Sequence, residues 1–476
     1  MTATNLLSRN AETTLTEQLA GRFTDRIRQR QLAPGARLPS VRECARRFGV
    51  SPSTVVSAYE LLLAQGLVDA RKQRGFFVRH AAAVSAVGAM PPPTAASEPR
   101  RQAPLSATAL MRGMFQPPGA QPMPGLGTLP VEWLDLPMLA SALRQVSGGA
   151  RLGPLALHYG EPAGDSRLRR ALAAQLAEHG VKATPAQIVT TIGATQGLDI
   201  VTRSLLRSGD AVLVDEPGWP VEYARLAALG LRLLPVPRGE DGPDLTVMAQ
   251  LLREHRPRLY ITVSVLHNPT GASLSMPVAH RLLKLAQEHD LAIVEDDSYS
   301  HLAPAHLPRL AALDALERTI YVSGFSKILA PALRVGYIAA PTALVDRFVD
   351  TKLLGTLTTP GLTEQALAHC LELGLLRRHA QRVSVRLDAA RARAVGLAEA
   401  AGCRFAAPPR GLFGWVDAGV DTERLSQAML GDGWLLAPGA LFHAMHRPTT
   451  LMRINFATTQ EAPFWRAFAS ARDALR

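Results

Sequence analysis

The sequence predicts two folded parts of unlike architecture: a small three-helix head closed by a β-hairpin, and a large α/β body with a smaller α/β subdomain at its C-terminal end. Three observations predict this. Short capped helices and a basic turn crowd the first eighty residues, a Pro- and Ala-rich stretch follows, and beyond residue 150 apolar runs of strand length alternate with helical segments. A chain of 476 residues exceeds what one core usually supports, and its 47% apolar content is ample for more than one.

In the head, Thr14 and Glu17 have capping-box spacing, and Leu15, Leu19, Phe23 and Ile27 follow at intervals of four, the buried stripe of a first helix. Pro34-Gly35 marks a turn. Ser40 and Glu43 repeat the capping-box spacing before a short helix that turns Val41, Ala45 and Phe48 inward and stops at Gly49. Ser51-Pro52 starts a third helix, in which Val55, Tyr59 and Leu62 or Leu63 reach the same core before Gly66 ends it. "LVDARKQRGFFV" then reads as strand, basic turn and strand. Residues 12–80 are therefore expected to form a winged helix-turn-helix.

Residues 81–130 change character. "AVGAMPPPTAASEPRRQAP" and "QPPGAQPMPG" predict a long connector, partly stiffened by proline. Residues 131–476 are expected to form the body, where "AQIVTTI", "AVLVD", "LYITVSV", "LAIVEDD", "TIYVSG" and "RVGYIAA" alternate with helical segments, the pattern of parallel strands covered by helices. From about 365 to 476 the chain reads as the smaller, helix-rich α/β subdomain.

The net charge of +12 is uneven: residues 1–80 hold thirteen Arg or Lys against six Asp or Glu, which favours a polyanionic partner at that end. Cys44, Cys370 and Cys403 have neither metal-ligand spacing nor an even disulfide set, so a reducing cytoplasm and no metal site are expected. The N-terminal stretch is too polar for a signal peptide, and no apolar run approaches ~18 residues, so no membrane span is expected.

A recognition helix needs short polar side chains on its outward N-terminal face, with cations around it for phosphates. Ser51, Ser53 and Thr54 meet the first need; Arg42, Arg46, Arg47, Arg71, Lys72 and Arg74 meet the second. Capping accounts for one serine without excluding DNA contact. The stretch "LAPGARLPSVRECARRFGVSPSTVVSAYELLLAQGLV" resembles the GntR winged-helix family, whose usual DNA-facing positions fall here on Arg42, Ser51, Thr54 and Gly75. Arg37 and Ser40 complete the expected DNA-binding set, and double-stranded operator DNA is the expected partner.

A second set of motifs lies in the body. Lys327 in "FSKILAPALRVGY" is a candidate Schiff-base lysine for pyridoxal 5'-phosphate, and Arg334 can return to a phosphate nearby. "TIGATQG" ends a strand and opens a helix, so Ala194, Thr195 and Gln196 can hold phosphate at a helix N-terminus. Asp296 ends the "LAIVED" strand, where a carboxylate can pair with a protonated pyridine nitrogen. Asn268 and Tyr299 can bond the phenolic oxygen, Trp219 offers a flat face for the ring, and Arg453 can receive a substrate carboxylate. Each has a structural alternative: the Asn268-Pro269-Thr270-Gly271 turn, a helix cap at Asp296, core packing by Trp219, a buried ion pair at Arg453.

In order and spacing these segments resemble a fold-type I pyridoxal-phosphate enzyme of the aspartate aminotransferase superfamily. The resemblance implies Lys327 as the cofactor lysine, Asp296 as pyridine partner, Asn268 and Tyr299 on the phenolic oxygen, Trp219 as stacking aromatic, Arg334 on the phosphate and Arg453 on the carboxylate. It further implies that Tyr159 reaches the neighbouring subunit's phosphate. Two departures stand out: Gly324 replaces the usual Ser or Thr three residues before the lysine, flanked by Ser323 and Ser326 as remaining hydroxyls, and Arg410 replaces a small residue in "PPRGLFGWVD".

Across both parts the chain resembles MocR-type regulators of the GntR family. That implies a transcriptional regulator, assembled as a head-to-tail homodimer, that senses a small amino-group-containing or vitamin B6-related effector. The alternative is a working aminotransferase that retains a DNA-binding domain.

Overall fold

The computed structural model describes residues 13–28, 32, 35–71, 75–79, 123–148, 153 and 157–476. The chain separates into two compact units, Met1–Pro118 and Gly119–Arg476.

The first unit contains helices α1 (Leu15–Arg28), α2 (Val41–Phe48) and α3 (Pro52–Ala64), followed by strands β1 (Val68–Arg71) and β2 (Gly75–Val78). The capping box at α1 is closed both ways: Thr14 N donates to Glu17 at 2.8 Å, and Glu17 N donates to Thr14 Oγ1 at 3.2 Å. Gly49 ends α2 at φ 65°, a conformation that favours glycine. Phe23, Phe48 and Tyr59 meet edge to face in the core, with Tyr59 reaching Phe76 of the wing at 5.0 Å. The antiparallel β1–β2 hairpin is extended by a bridge from Arg37 to Phe77. This is the winged helix-turn-helix that the capping and turn signals predict.

In the second unit, helices α4 (Leu136–Ser147) and α5 (Ser166–Glu178) precede a seven-stranded sheet. Its strands are β3 (Ile188–Thr191), β4 (Ala211–Glu216), β5 (Arg232–Pro237), β6 (Leu259–Thr262), β7 (Ala292–Asp296), β8 (Thr319–Gly324) and β9 (Gly336–Ala339), in the order β3-β9-β8-β7-β6-β4-β5. Helices α6 (Ala194–Leu205), α7 (Pro220–Ala228), α8 (Leu245–His255), α9 (Met276–Glu288) and the short α10 (Leu310–Leu313) connect them. Every residue of β3, β6, β8 and β9 is buried, so these strands read as mainly apolar or β-branched runs without a polar alternation.

One strand departs from the parallel expectation. β9, the "RVGYIAA" run, lies antiparallel to both β8 and β3. A parallel return needs a crossover of about a dozen residues or more, usually helical. Residues 325–335 contain only the 3-10 turn Pro331–Leu333, so the chain folds straight back. That fold-back carries Lys327.

Helices α11 (Thr342–Thr356), α12 (Gly361–Glu372) and α13 (Leu375–Ala400) lead to a four-stranded antiparallel sheet of β10 (Arg404–Phe405), β11 (Phe413–Asp417), β12 (Ala437–Pro438) and β13 (Leu451–Asn455), in the order β10-β11-β13-β12. Helices α14 (Thr422–Leu430) and α15 (Ala462–Asp473) complete this smaller subdomain.

Residues 123–130 depart from the connector reading. Gly125 N donates to Leu435 O at 2.8 Å, and Asn455 Nδ2 donates to Leu126 O and Thr128 O at 2.9 and 2.8 Å. This strap is bonded to the body because two buried side chains of β13, Arg453 and Asn455, satisfy its carbonyls. Among the described residues, no helix is long and apolar enough to cross a membrane.

Candidate functional site

On the head, Ser51 caps α3: its Oγ accepts from Thr54 N at 3.1 Å and lies 2.7 Å from the hydroxyls of both Ser53 and Thr54. Ser51 and Ser53 are exposed, Thr54 is half-buried, and Arg37, Ser40, Arg42, Arg46 and Arg71 are exposed. Arg71 lies over the Phe77 ring at 4.6 Å, and the Arg37 side chain lies over Gly75, which is at φ 98°. Lys72 and Arg74 lie outside the described residues. Polar hydroxyls at a helix start, flanked by cations on α2 and the wing, form a surface suited to phosphates and base edges.

The body's candidate site lies at the C-terminal ends of β7 and β8, where open α/β sheets commonly bind ligands. Gly193, at φ 76°, starts α6, and a side chain there would collide with Arg334, whose Nη2 lies 2.7 Å from the ideal Cβ position. Arg334 Nη2 donates to Ile192 O at 2.9 Å and Nη1 to Ser326 Oγ at 3.4 Å. A guanidinium, a hydroxyl and the first-turn amides of Ala194 and Thr195, which lack helical acceptors, thus gather at one positive helix end. Gly324 packs against the same end: a Cβ on it would sit 3.1 Å from Ala194 N, so the residue that departs from the family's hydroxyl stands where space is tight.

Two expected cofactor residues are engaged elsewhere. Ser323 Oγ donates to Asp297 O at 2.8 Å. The Gln196 amide closes the helix start, accepting from Ile192 N at 2.5 Å and donating to Thr356 Oγ1 at 2.8 Å. Tyr159 is 83% exposed and has no hydrogen bond to the site among the described residues.

Asp296 is buried and shares a small cavity with Trp219. Burial pushes its carboxyl up to about 6, although Ser298 Oγ and N donate to it at 2.5 and 3.1 Å; the Glu222 charge adds to the rise. The neighbouring Asp297 is anchored by Arg309 at 3.0 Å and Tyr321 at 2.9 Å, which holds the turn behind Asp296.

Two of the remaining groups meet Phe413. Tyr299 meets its edge at 5.4 Å, and the Arg453 guanidinium lies 4.3 Å from its centroid. Gly127 of the strap sits where a Cβ would be 3.2 Å from the Phe413 ring and 3.5 Å from Lys327 Nζ. Arg453 Nη1 donates to Asn268 Oδ1 at 2.8 Å and Nη2 donates to Gly125 O at 2.5 Å, while the buried Nε has no partner among the described residues. Burial lowers Arg453 to about 10, and burial pulls the Lys327 amine down to about 8, helped by Arg453 and Arg334 and opposed by Asp296. Phe413, Asn455 and the two strap glycines escape the sequence reading; Asn455, two residues after Arg453 and so on the same face of the strand, is the signal that could have found them. Arg410 is exposed and lies 3.8 Å from Glu240.

A winged helix-turn-helix joined in one chain to an aminotransferase-like fold defines a class of DNA-binding regulators. The model for bacterial regulatory proteins of the gntR family matches residues 15–78, and that for aminotransferases of class I and II matches residues 129–467. The probable rhizopine catabolism regulatory protein MocR of Rhizobium meliloti is 31% identical over 389 residues, spanning 79% of this chain and 76% of that protein. The HTH-type transcriptional regulator TauR of Rhodobacter capsulatus is 30% identical over 462 residues, spanning 92% and 91%. Among solved structures, the α-aminoadipate aminotransferase LysN of Thermus thermophilus, complexed with N-(5'-phosphopyridoxyl)-L-leucine, superposes with TM-score 0.70 at 26% identity over 77% of this chain and 95% of that one. The chain belongs to the GntR family of transcriptional regulators and, with its aminotransferase-like body, to the MocR-type subfamily. That membership implies a pyridoxal-phosphate site in the body.

Proposed function

We propose that the body senses a small amino compound bearing a carboxylate, with pyridoxal phosphate held on Lys327, and that occupancy alters how the head engages operator DNA. Arg453 carries this reading: among the described residues its buried guanidinium is bonded to two neutral carbonyls and to no carboxylate, and its Nε is left an orphan. A buried cation without an anion is costly, so the site is built to receive one.

The donor set fits the cofactor. Arg334, Ser326 and the amides of Ala194 and Thr195 would hold its phosphate, Asp296 its ring nitrogen, Asn268 and Tyr299 its phenolic oxygen, and Trp219 its face. Once bound, pyridoxal phosphate supplies an aldehyde that condenses with amines and a ring that withdraws electrons. Lys327, with its amine at about 8, keeps an appreciable neutral, nucleophilic fraction near neutrality. Asp296, ionised above about 6, can pair with a protonated ring nitrogen. Tyr159 is free to reach a partner's phosphate, which supports a head-to-tail homodimer. For occupancy to act on DNA, the effector must bind two arrangements of the dimer with unequal affinity.

A second reading, turnover as an aminotransferase, is favoured by the same Lys327 and Arg453, since a base near 8 beside a carboxylate receptor suits proton transfer at an amino acid. A spectral titration of the cofactor-loaded chain with amines and amino acids, followed by keto-acid detection, separates the two. A spectral change without keto acid supports sensing; repeated keto-acid release that is lost in Lys327→Ala supports turnover.

A further inference from the structure

We propose that the cavity between α5 and the start of α13 is a second small-molecule site, built for an uncharged carboxamide carried on an apolar body. The cavity holds about 810 Å³, within the range of small-molecule pockets. Its walls come from α5, the Ser300–Leu302 turn with the three residues after it, and the junction of α12 with α13. It shares no residue with the groups gathered around Lys327, yet it backs onto the turn that carries that lysine. The ring of His301, in its wall, lies 5.2 Å from the Phe325 ring, and His379 on α13 donates through Nε2 to Ile328 O at 2.8 Å.

Three side chains of the lining each carry a buried polar atom without a partner among the described residues: Gln175 Oε1, His179 Nδ1 and His301 Nε2. Buried polar atoms in folded proteins are nearly always paired, and leaving one unpaired is costly, so three at one cavity mark a place for something that pairs them. The Gln175 amide nitrogen lies 3.3 Å from His301 Nδ1. With the amide donating there, the neutral His301 ring keeps its hydrogen on Nε2, and the two orphans are one donor and one acceptor. Turning the amide over exchanges the roles and leaves the same pair. A carboxamide answers it with a carbonyl and an N–H on separate atoms, where a hydroxyl would have to serve both from one oxygen.

The ligand is uncharged because the buried floor offers no counter-ion. Burial pushes the His301 ring down to about 3, with His179, Arg309 and His379 acting the same way. Burial also lowers His179, helped by Arg309 and opposed by Asp297 and Glu178, so both rings are neutral near pH 7. The charged residues of the lining, Glu178, Glu372 and Arg377, are exposed, and Glu372 is already bound by Arg167 at 2.8 and 2.5 Å. Leu302, Ala303, Leu376 and Ala380 supply the apolar wall for the body of the ligand.

Four ligands with one apolar body test this on the full chain in the presence of pyridoxal phosphate: benzamide, benzoate, benzylamine and toluene, with affinities read by ligand-observed NMR. Benzamide is expected to bind about tenfold or more tighter than benzoate or benzylamine, since each of these brings a charge to a floor without a counter-ion. In Gln175→Leu and His301→Leu the ratio of benzamide to toluene affinity is expected to fall about tenfold, the loss of one buried hydrogen bond, while toluene reports that the cavity is still formed. Benzamide binding no tighter than the two charged ligands, or an unchanged ratio in both variants, overturns the proposal. So does a native chain that binds none of the four, its orphan atoms then being served by water alone.

Discussion

Replacing Arg453 with Met should raise the pH at which Lys327 becomes reactive, and replacing Asp296 with Asn should lower it. In the native chain burial brings the Lys327 amine from 10.5 down to about 8, with Arg453 and Arg334 pushing the same way and Asp296 pushing back. At pH 7 an amine at about 8 is about one-tenth neutral, against about one part in three thousand for an ordinary lysine, roughly a 300-fold gain in nucleophile. Removing the Arg453 charge takes away one cause of the depression, and removing the Asp296 charge takes away what opposes it. Burial is the largest cause and persists in both variants, so each midpoint stays below 10.5. The assay mixes cofactor-free protein with pyridoxal phosphate from neutral to alkaline pH and traps the imine with borohydride at successive times. A native midpoint near 10.5, or two variants moving in the same direction, refutes the electrostatic reasoning.

In the head, Phe23 is 1% exposed and packs on Phe48 and Tyr59, so Phe23→Ala should cost about 3–5 kcal/mol in urea unfolding of the head. A loss under about 1 kcal/mol would contradict this packing. Ser51→Ala removes the α3 cap and should cost about 1 kcal/mol in the same measurement. Arg42→Ala should leave stability within about 0.5 kcal/mol but reduce the salt slope of DNA binding by about 1, as loss of one phosphate contact does. Tyr159→Phe should leave unfolding unchanged, because Tyr159 is exposed in the single chain, while weakening pyridoxal-phosphate affinity as the proposed homodimer requires. Unchanged affinity would remove Tyr159 from the partner's site.

The head is legible because its signals are local. Capping residues, four-residue apolar spacing and a turn each act within a few positions, and the hairpin follows from the turn. The body's strands are legible as buried apolar runs, yet a run carries no direction, so β9 reads as one more parallel strand and only its short connection reverses it. Lys327, Asp296 and Arg453 are readable because a strand end or a motif fixes each. The orientations of Ser323 and Gln196 are not, since the Asp297 carbonyl and Thr356, far along the chain, decide them. The strap is the largest omission. Its Pro and Gly content reads as connector, and the donors on its carbonyls, Arg453 and Asn455, come from more than three hundred residues away. Phe413 is likewise not singled out by the sequence, because Tyr299 and Arg453 reach its ring from distant parts of the chain.

The central claim is that chemistry at Lys327 is heard by the head. DNA fragments selected by the cofactor-loaded protein from its own genome supply the operator; affinity and footprint are then compared for cofactor-loaded, cofactor-free and Lys327→Ala chains, each with and without an amine effector found by spectral titration. The account predicts that effector shifts affinity or footprint for the cofactor-loaded chain and does nothing for the other two. Identical affinity and footprint for all three chains, with and without effector, would contradict it.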